Sequence, residues 1–308
     1  MNRATNQPQI VILDPISHEA ADRLRKSFEV VDLSSRQRAD QLPALATADC
    51  IIVRSRTKVN RELFEMAPEL KVVARAGVGL DNVDTKEADS RSIRILSTPH
   101  APTTSVAELV LGFMIALARG IGKGDRGIRN GRWLKSELEG TELSGKVLGV
   151  IGYGRIGSAV GKLGGCLGMS ALGWDILGPQ VVTAPAMYTE VDDMLEQADF
   201  ITLHVPLTDE TRSMVNARFL AKMKKTAYII NASRGEVVDE DALYDALKNG
   251  TIAGAALDVF GSEPYTGRLR ELENVILTPH IGASTEEAQR RSASDLAEQI
   301  EHWFEGSR

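Results

Sequence analysis

The chain has 308 residues, 43% of them hydrophobic and 25% charged, with 36 Lys and Arg against 42 Asp and Glu for a formal net charge of −6. This ordinary globular composition excludes a disordered, collagen-like or coiled-coil chain, and the acidic balance argues against a nucleic-acid binder; the length suits two domains. Two cysteines, Cys50 and Cys166, make neither a disulfide framework nor a CxxC metal site, so no metal and a reducing, cytoplasmic setting are expected.

The N-terminal run MNRATNQPQ is polar, and the apolar run 10–13 behind it is too short for the core of a signal peptide. Across the first hundred residues short apolar, β-branched runs (QIVILD, FEVVDL, DCIIV, LKVVAR, IRIL) alternate with helix-length amphipathic segments. A long helical stretch at 103–119 follows, and then a second series: KVLGVIG, SALGWD, FITLHV, AYIINA, IAGAALDV and NVILT. This is the βαβ pattern of parallel sheets covered on both faces. The most apolar stretch, 109–118, has about half the ~20 residues a membrane span needs and is flanked by Glu108 and Arg119, so it is predicted to be a buried helix and no membrane association is expected. A closing helix at 284–303 carries Ala288, Leu296, Ile300 and Trp303 at near-helical spacing and needs a surface to bury them on, which the first domain supplies. The expected division is therefore 1–98 with 284–308 as one discontinuous domain and 99–283 as the other.

After the strand pattern ending at Ile151 comes GYGRIG, in which Gly152, Gly154 and Gly157 match GxGxxG and a helix opens at Arg155 and Ile156. The three glycines answer three physical demands: a tight turn, close approach of a pyrophosphate to the backbone, and close packing of helix on strand. Asp175 follows at the end of the next strand, where a carboxylate accepts ribose hydroxyls and repels a 2′-phosphate. Neither Ile176 nor Leu177 after it is basic, so the cofactor expected is NAD rather than NADP.

Three further segments place ionisable groups directly after apolar strands: Asn231 to Gly235 with Arg234, Ser262 to Pro264 with Glu263, and Thr278 to Gly282 with His280. Strand C-termini are where open parallel sheets bind ligands. An Arg to clamp a carboxylate, a His to move a proton and a Glu to favour its imidazolium form make a hydride-transfer set. Taken singly, Arg234 equally fits a surface ion pair, Glu263 a turn before Pro264, and His280 a helix cap or core histidine.

GYGRIG, HVPLTDETRSMVN, INASRGEVVDEDALYDALKNGTIAGAALDVFGSEP and LTPHIGAST together resemble the NAD-dependent D-2-hydroxyacid dehydrogenases over nearly the whole chain. The resemblance implies an α/β fold of two doubly wound parallel-sheet domains, a flavodoxin-like substrate domain and a Rossmann NAD-binding domain. It implies that Arg234, Glu263 and His280 are catalytic, that His204, Val205, Pro206 and Ala232 contact the cofactor, and that Asp258 lies near the nicotinamide amide. It further implies a short form without the C-terminal regulatory domain of longer members. The loop Ala76-Gly77-Val78-Gly79 is similar to the one that holds the substrate carboxylate, its backbone N–H groups forming an anion nest. Arg54 and Arg75 beside it carry more positive charge than a bare hydroxyacid requires, which points to a phosphorylated acid; the resemblance implies that this acid is D-3-phosphoglycerate, oxidised at the entry to serine synthesis. Solvated arginines at strand ends remain the alternative for both; Arg56 and Lys58 are read as surface residues. Without a phosphate the substrate is that of a glyoxylate/hydroxypyruvate reductase or a D-lactate dehydrogenase, and the family also contains NAD-binding corepressors with the same Arg, Glu and His. The segment 121–145, with Trp133 and Lys135, is similar to an arm that embraces a partner subunit, so a homodimer or a larger homo-oligomer is expected.

Overall fold

A computed structural model describes residues 7–37 and 43–306; most of the polar N-terminal run, residues 38–42 and the last two residues lie outside the described residues. The chain divides into two compact units, 1–102 with 283–308, and 103–282.

The first unit contains β1 (Gln9–Ile12), α1 (His18–Leu24), β2 (Glu29–Asp32), β3 (Cys50–Val53), α2 (Arg61–Met66), β4 (Val72–Arg75), α3 (Thr85–Ser90) and β5 (Arg94–Ser97). Its five strands pair in parallel in the order β2-β1-β3-β4-β5. The three central strands, β1, β3 and β4, are apolar at almost every position because successive residues feed two different cores. Ile10, Ile12, Ile52 and Val72 pack on one face with Ala20 and Leu24, whereas Val11, Leu13, Ile51, Val53 and Val73 pack on the other with Leu63 and Phe64. The helices start where a side-chain oxygen can take a first-turn N–H: Ser17 accepts from Ala20, Asn60 from Leu63 and Asp84 from Glu87.

The second unit contains α4 (Thr103–Ala118), α5 (Ile121–Arg129), β6 (Val147–Ile151), α6 (Arg155–Cys166), β7 (Ser170–Trp174), β8 (Ala186–Tyr188), α7 (Val191–Gln197), β9 (Phe200–Leu203), α8 (Ala217–Lys222), β10 (Tyr228–Asn231), α9 (Glu240–Lys248), β11 (Gly254–Leu257) and β12 (Val275–Leu277). Seven parallel strands run in the order β12-β11-β10-β9-β6-β7-β8. Leu148, Val150, Phe200 and Ile230 meet Val110, Phe113 and Met114 of α4 and Val160 of α6 on one face. Ile201, Leu203, Ile229 and Leu257 meet Leu195, Phe219 and Leu243 on the other. The apolar run 109–118 thus lies in a core helix, and no single helix among the described residues is long and apolar enough to cross a membrane. The edge strand β8 was not anticipated: three residues behind Pro185 are too few to show a period of two.

The closing helix α10 (Glu286–Gly306) belongs to the first unit. Ala293, Leu296, Ala297 and Ile300 bury against Ile10, Ala21 and Leu24. Phe304, 6% exposed, takes the deep position against Phe28 at a centroid distance of 5.4 Å, while Trp303, expected on the buried face, is half-buried beside it. Polar stitches fix the helix: Arg23 bridges Glu301 at 2.6 Å, Arg291 donates twice to the Ala101 carbonyl, and the buried Thr98 and Ser292 hydroxyls share a hydrogen bond of 2.5 Å.

Candidate active site

In the seven-stranded sheet the chain leaves in opposite directions from β6 and β9, and the gap between their C-terminal ends is where such sheets take ligands. Gly152 ends β6 at φ +90°, and a Cβ there would lie 2.6 Å from the His204 carbonyl oxygen at the end of β9. A Cβ on Gly157 would lie 2.1 Å from the Gly152 carbonyl, so α6 rests its first turn directly on the turn that precedes it. Around the position of a Cβ on Gly154, by contrast, there is open space, and this helix cap offers no side-chain hydrogen bond to the first turn. Arg155 is exposed and Ile156 leans on the core, so both reach this opening through their backbone N–H groups. An uncapped N-terminus of a twelve-residue helix facing open space fits the pyrophosphate of a dinucleotide. At the next strand end Asp175 spends one oxygen on the Leu177 N–H at 3.0 Å. Its other oxygen has no partner among the described residues and suits a ribose hydroxyl.

Val205 is buried behind Gly152, and Pro206 is exposed. The His204 imidazole is enclosed: Nε2 shares a 2.9 Å hydrogen bond with the Thr202 hydroxyl, Nδ1 is buried without a partner, and burial pushes the ring down to about 3, so it is neutral at any working pH.

The Arg, Glu and His segments converge at the ends of β10, β11 and β12 in the same unit. Asn231, wholly buried, ties its own loop: its amide donates to the Arg234 carbonyl at 2.8 Å and its oxygen accepts from the Ser233 N–H and hydroxyl. Ala232 lies half-buried within this loop, and Arg234 Nη1 donates to the Ser233 carbonyl at 2.7 Å. Gly235 abuts the Phe260–Gly261 peptide so closely that a Cβ would sit 1.9 Å from the Phe260 carbonyl carbon, which sets the Arg234 and Glu263 loops side by side. Glu263 accepts the Phe260 N–H with one oxygen and meets His280 Nδ1 at 3.0 Å with the other. That leaves Nε2, on the far side of the half-exposed ring, as the nitrogen free to exchange a proton.

His280 occupies the left-handed region at φ 53°, an uncommon and costly place for a side chain of this size. The loop is held there by Asp258, 1% exposed, whose carboxylate accepts the Thr278 hydroxyl at 2.6 Å and the Ile281 and Gly282 N–H groups at 2.8 Å each. Both Asp258 oxygens are thus engaged in aiming the histidine.

In the first unit Arg54 and Arg75 end neighbouring strands, in register at Val53 and Arg75. The two part at once. The Arg75 guanidinium lies over Gly77, where a Cβ would sit 1.6 Å from Nη1, while Gly77, at φ +146°, takes the Thr98 N–H on its carbonyl. Val78 and Gly79 follow half-buried. The loop after Arg54 is clamped from both sides. The buried Asp14 carboxylate accepts the Arg54 and Thr57 N–H groups, the Thr57 hydroxyl and Arg56 Nε, and Asn82 donates to the Arg54 and Thr57 carbonyls. Arg56, read from sequence as a surface residue, is exposed at its side chain yet braces this clamp through the Leu13 carbonyl as well.

Asp14 and Asn82 went unnoticed in the sequence, and Asn231 and Thr278 were read only as the starts of their segments, because a lone Asp, Asn or Thr at a strand end looks like any turn residue. A signal was available for Asp14 alone, an acid directly behind the continuous apolar run QIVIL.

Residues 111–282 match the family model described as the NAD binding domain of D-isomer specific 2-hydroxyacid dehydrogenases. The chain is 42% identical over 297 residues to a hydroxypyruvate reductase of Thermotoga maritima, covering 95% of this chain and 97% of that one. It is 44% identical over 302 residues to a D-3-phosphoglycerate dehydrogenase of Methanocaldococcus jannaschii, covering 97% of this chain but 58% of the relative. Among solved structures it is similar to a D-lactate dehydrogenase of Aquifex aeolicus complexed with NAD and lactic acid, at a TM-score of 0.83, 29% identity and coverage of 97% and 96%.

Proposed function

Because the chain belongs to the D-isomer specific 2-hydroxyacid dehydrogenases, we propose that it oxidises D-3-phosphoglycerate to 3-phosphohydroxypyruvate, the step that opens serine synthesis, and that it runs the same chemistry in reverse. The observation that carries the reaction type is the 3.0 Å pairing of His280 Nδ1 with Glu263, which leaves Nε2 to exchange the proton. Bound NAD supplies the acceptor for the hydride that leaves C2 of the substrate. His280 Nε2 takes the proton from the C2 hydroxyl as that hydride departs, and Glu263 stabilises the imidazolium that forms. Arg234 holds the substrate carboxylate as a fork and polarises the adjacent oxygen. Gly152, Gly154, Arg155, Ile156 and Gly157 receive the pyrophosphate, Asp175 the ribose, and His204, Val205, Pro206 and Ala232 form the nicotinamide side. Asp258 keeps the His280 loop in its left-handed turn. Arg54, Arg75 and residues 76–79 bind the anionic groups of the acid.

Two arginines on adjacent strand ends support the phosphorylated substrate, as does the similarity to phosphoglycerate dehydrogenases. A hydroxypyruvate reductase is the second reading, favoured by the Thermotoga relative that matches this chain end to end. We place the enzyme in the cytoplasm as a homodimer. The arm around α5 supports pairing, since it exposes Trp133 by 79%, Ile128 by 57% and Ile121 by 53%, apolar surface better suited to an interface than to water.

Initial rates of NADH oxidation with 3-phosphohydroxypyruvate and with hydroxypyruvate test the substrate. Preference for the phosphorylated acid, lost in Arg54→Ala, is the expected result; equal rates with both move the protein to the general reductases. His280→Ala tests the reaction type and is expected to lower kcat about 100- to 10,000-fold. A loss below about tenfold would remove His280 from the proton transfer.

A further inference from the structure

GYGRIG carries a large side chain at its first variable position, Tyr153, and the fold buries it beneath the glycine turn. Two glycines outside the motif make the slot that takes the ring. A Cβ on Gly161 of α6 would lie 2.8 Å from the Tyr153 hydroxyl, and one on Gly173 of β7 would lie 2.8 Å from its Cδ2. Glycine is unfavourable inside a helix or a strand, so both elements give up intrinsic propensity to admit this ring. The same residue holds both ends of one loop. Its backbone N–H donates to the Trp174 carbonyl at 3.2 Å, where β7 ends, and its hydroxyl donates to the Thr183 carbonyl at 3.1 Å, just before β8 begins. Between those two points lies Asp175, followed by the exposed Ile176 and Leu177. Among the described residues every other hydrogen bond of 175–184 runs within that stretch or to Ala186. The loop that carries Asp175 has little core of its own and is moored to the rest of the unit through Tyr153.

We propose that Tyr153 is a positioning residue for the adenosine half of the dinucleotide: by gripping both ends of the loop behind β7 it fixes where the Asp175 carboxylate stands relative to the glycine turn. The inference rests on the reading of Asp175 as the ribose acceptor and deepens it. The turn that meets the phosphates and the carboxylate that meets the ribose lie on different segments, and one ligand engages both at full strength only when their spacing is set beforehand. A loop held at one end alone would let Asp175 wander, and each binding event would lose the entropy of ordering it. A hydroxyl on a ring locked between Gly161 and Gly173 supplies the second mooring with few rotors to freeze. Because the ring is enclosed, it acts through Asp175 and not by touching the cofactor.

The test is a double-mutant cycle on the full chain with Tyr153→Phe, Asp175→Ala and the two combined, read as the dissociation constant of NADH in a fluorescence titration. Tyr153→Phe keeps the ring in its slot and removes the hydroxyl alone, so the fold is expected to hold. The variant should weaken NADH about three- to tenfold, the scale of one hydrogen bond. ADP-ribose, which carries the adenosine half and lacks the nicotinamide, should lose the same factor in calorimetry. In the Asp175→Ala background the same change should alter NADH affinity by less than about twofold, since the group it positions is gone. Unchanged NADH affinity in Tyr153→Phe, an ADP-ribose affinity that stays at the parent value, or losses that add across the cycle overturn the proposal; additive losses would make the tyrosine a support of the fold alone. If Asp175→Ala leaves NADH affinity unchanged, the ribose reading of Asp175 fails and this inference falls with it. If Asp175→Ala weakens NADH and Tyr153→Phe does not, the Tyr153 assignment alone is lost.

Discussion

The two parallel sheets meet the same geometric problem, a gap between strand ends at the point where connections reverse, and resolve it with opposite chemistry. In the seven-stranded sheet the gap is closed by backbone on backbone, Gly152 against the His204 carbonyl, and the helix behind it begins without a side-chain cap. In the five-stranded sheet a buried carboxylate, Asp14, fills the gap between β1 and β3, and α1 begins with its first turn capped by Ser17. An open helix terminus carries a partial positive charge toward an incoming phosphate, whereas a carboxylate plug carries a negative one away from it. A doubly wound sheet therefore does not bind anions by its topology alone. Where the switch point is plugged, the positive charge must come from side chains set beside it, and Arg54, aimed by the Asp14 clamp, is such a group.

This contrast can be broken most severely at Asp14. Asp14→Ala leaves two backbone N–H groups, a hydroxyl and Arg56 without their shared acceptor in a buried place, and should cost about 3–5 kcal/mol in urea unfolding. A loss under about 1 kcal/mol would mean the carboxylate is not a structural plug. At the other switch point, Gly154→Asp makes α6 resemble α1. Gly154 has φ −76° and open space around it, so the fold should accept the side chain and Tm should hold or rise with the new cap. NADH affinity, measured by fluorescence titration, should fall about 10- to 100-fold as the aspartate competes for the first-turn N–H groups and repels the pyrophosphate. Unchanged affinity would show that this helix terminus does not receive the cofactor.

The smallest effect concerns His204. Burial lowers its imidazole from an ordinary 6.5 to about 3, so between those pH values the unfolded chain binds a proton that the folded chain does not. Stability therefore falls as pH drops from 6.5 toward 3, and at pH 7 the residue makes no such contribution. His204→Asn should flatten that acid limb in a series of Tm measurements against pH. An unaltered limb would place the acid sensitivity elsewhere.

Much of the candidate site could be read before the fold was known because its signals are local. GYGRIG demands glycine for backbone reasons that act within six residues, Asp175 follows from strand spacing, and Arg234, Glu263 and His280 each follow an apolar run at its C-terminal end. The hydrophobic alternation of strands and helices likewise sufficed to expect two parallel sheets. The least legible element was β8, whose three residues carry no period and which exists because β7 offers it a free edge.

What the amino-acid sequence determined by itself is therefore the class of fold, the glycine turn behind β6 and the candidate reacting groups, since each depends on residue type at short spacing. Only the tertiary structure decided how those groups are held. Asp258 meets the His280 loop across 20 to 24 positions, and Asp14 meets Arg54 across 40. Such partners are chosen by the packing of strands on helices, and a hydrogen bond over that separation leaves no local pattern in the chain.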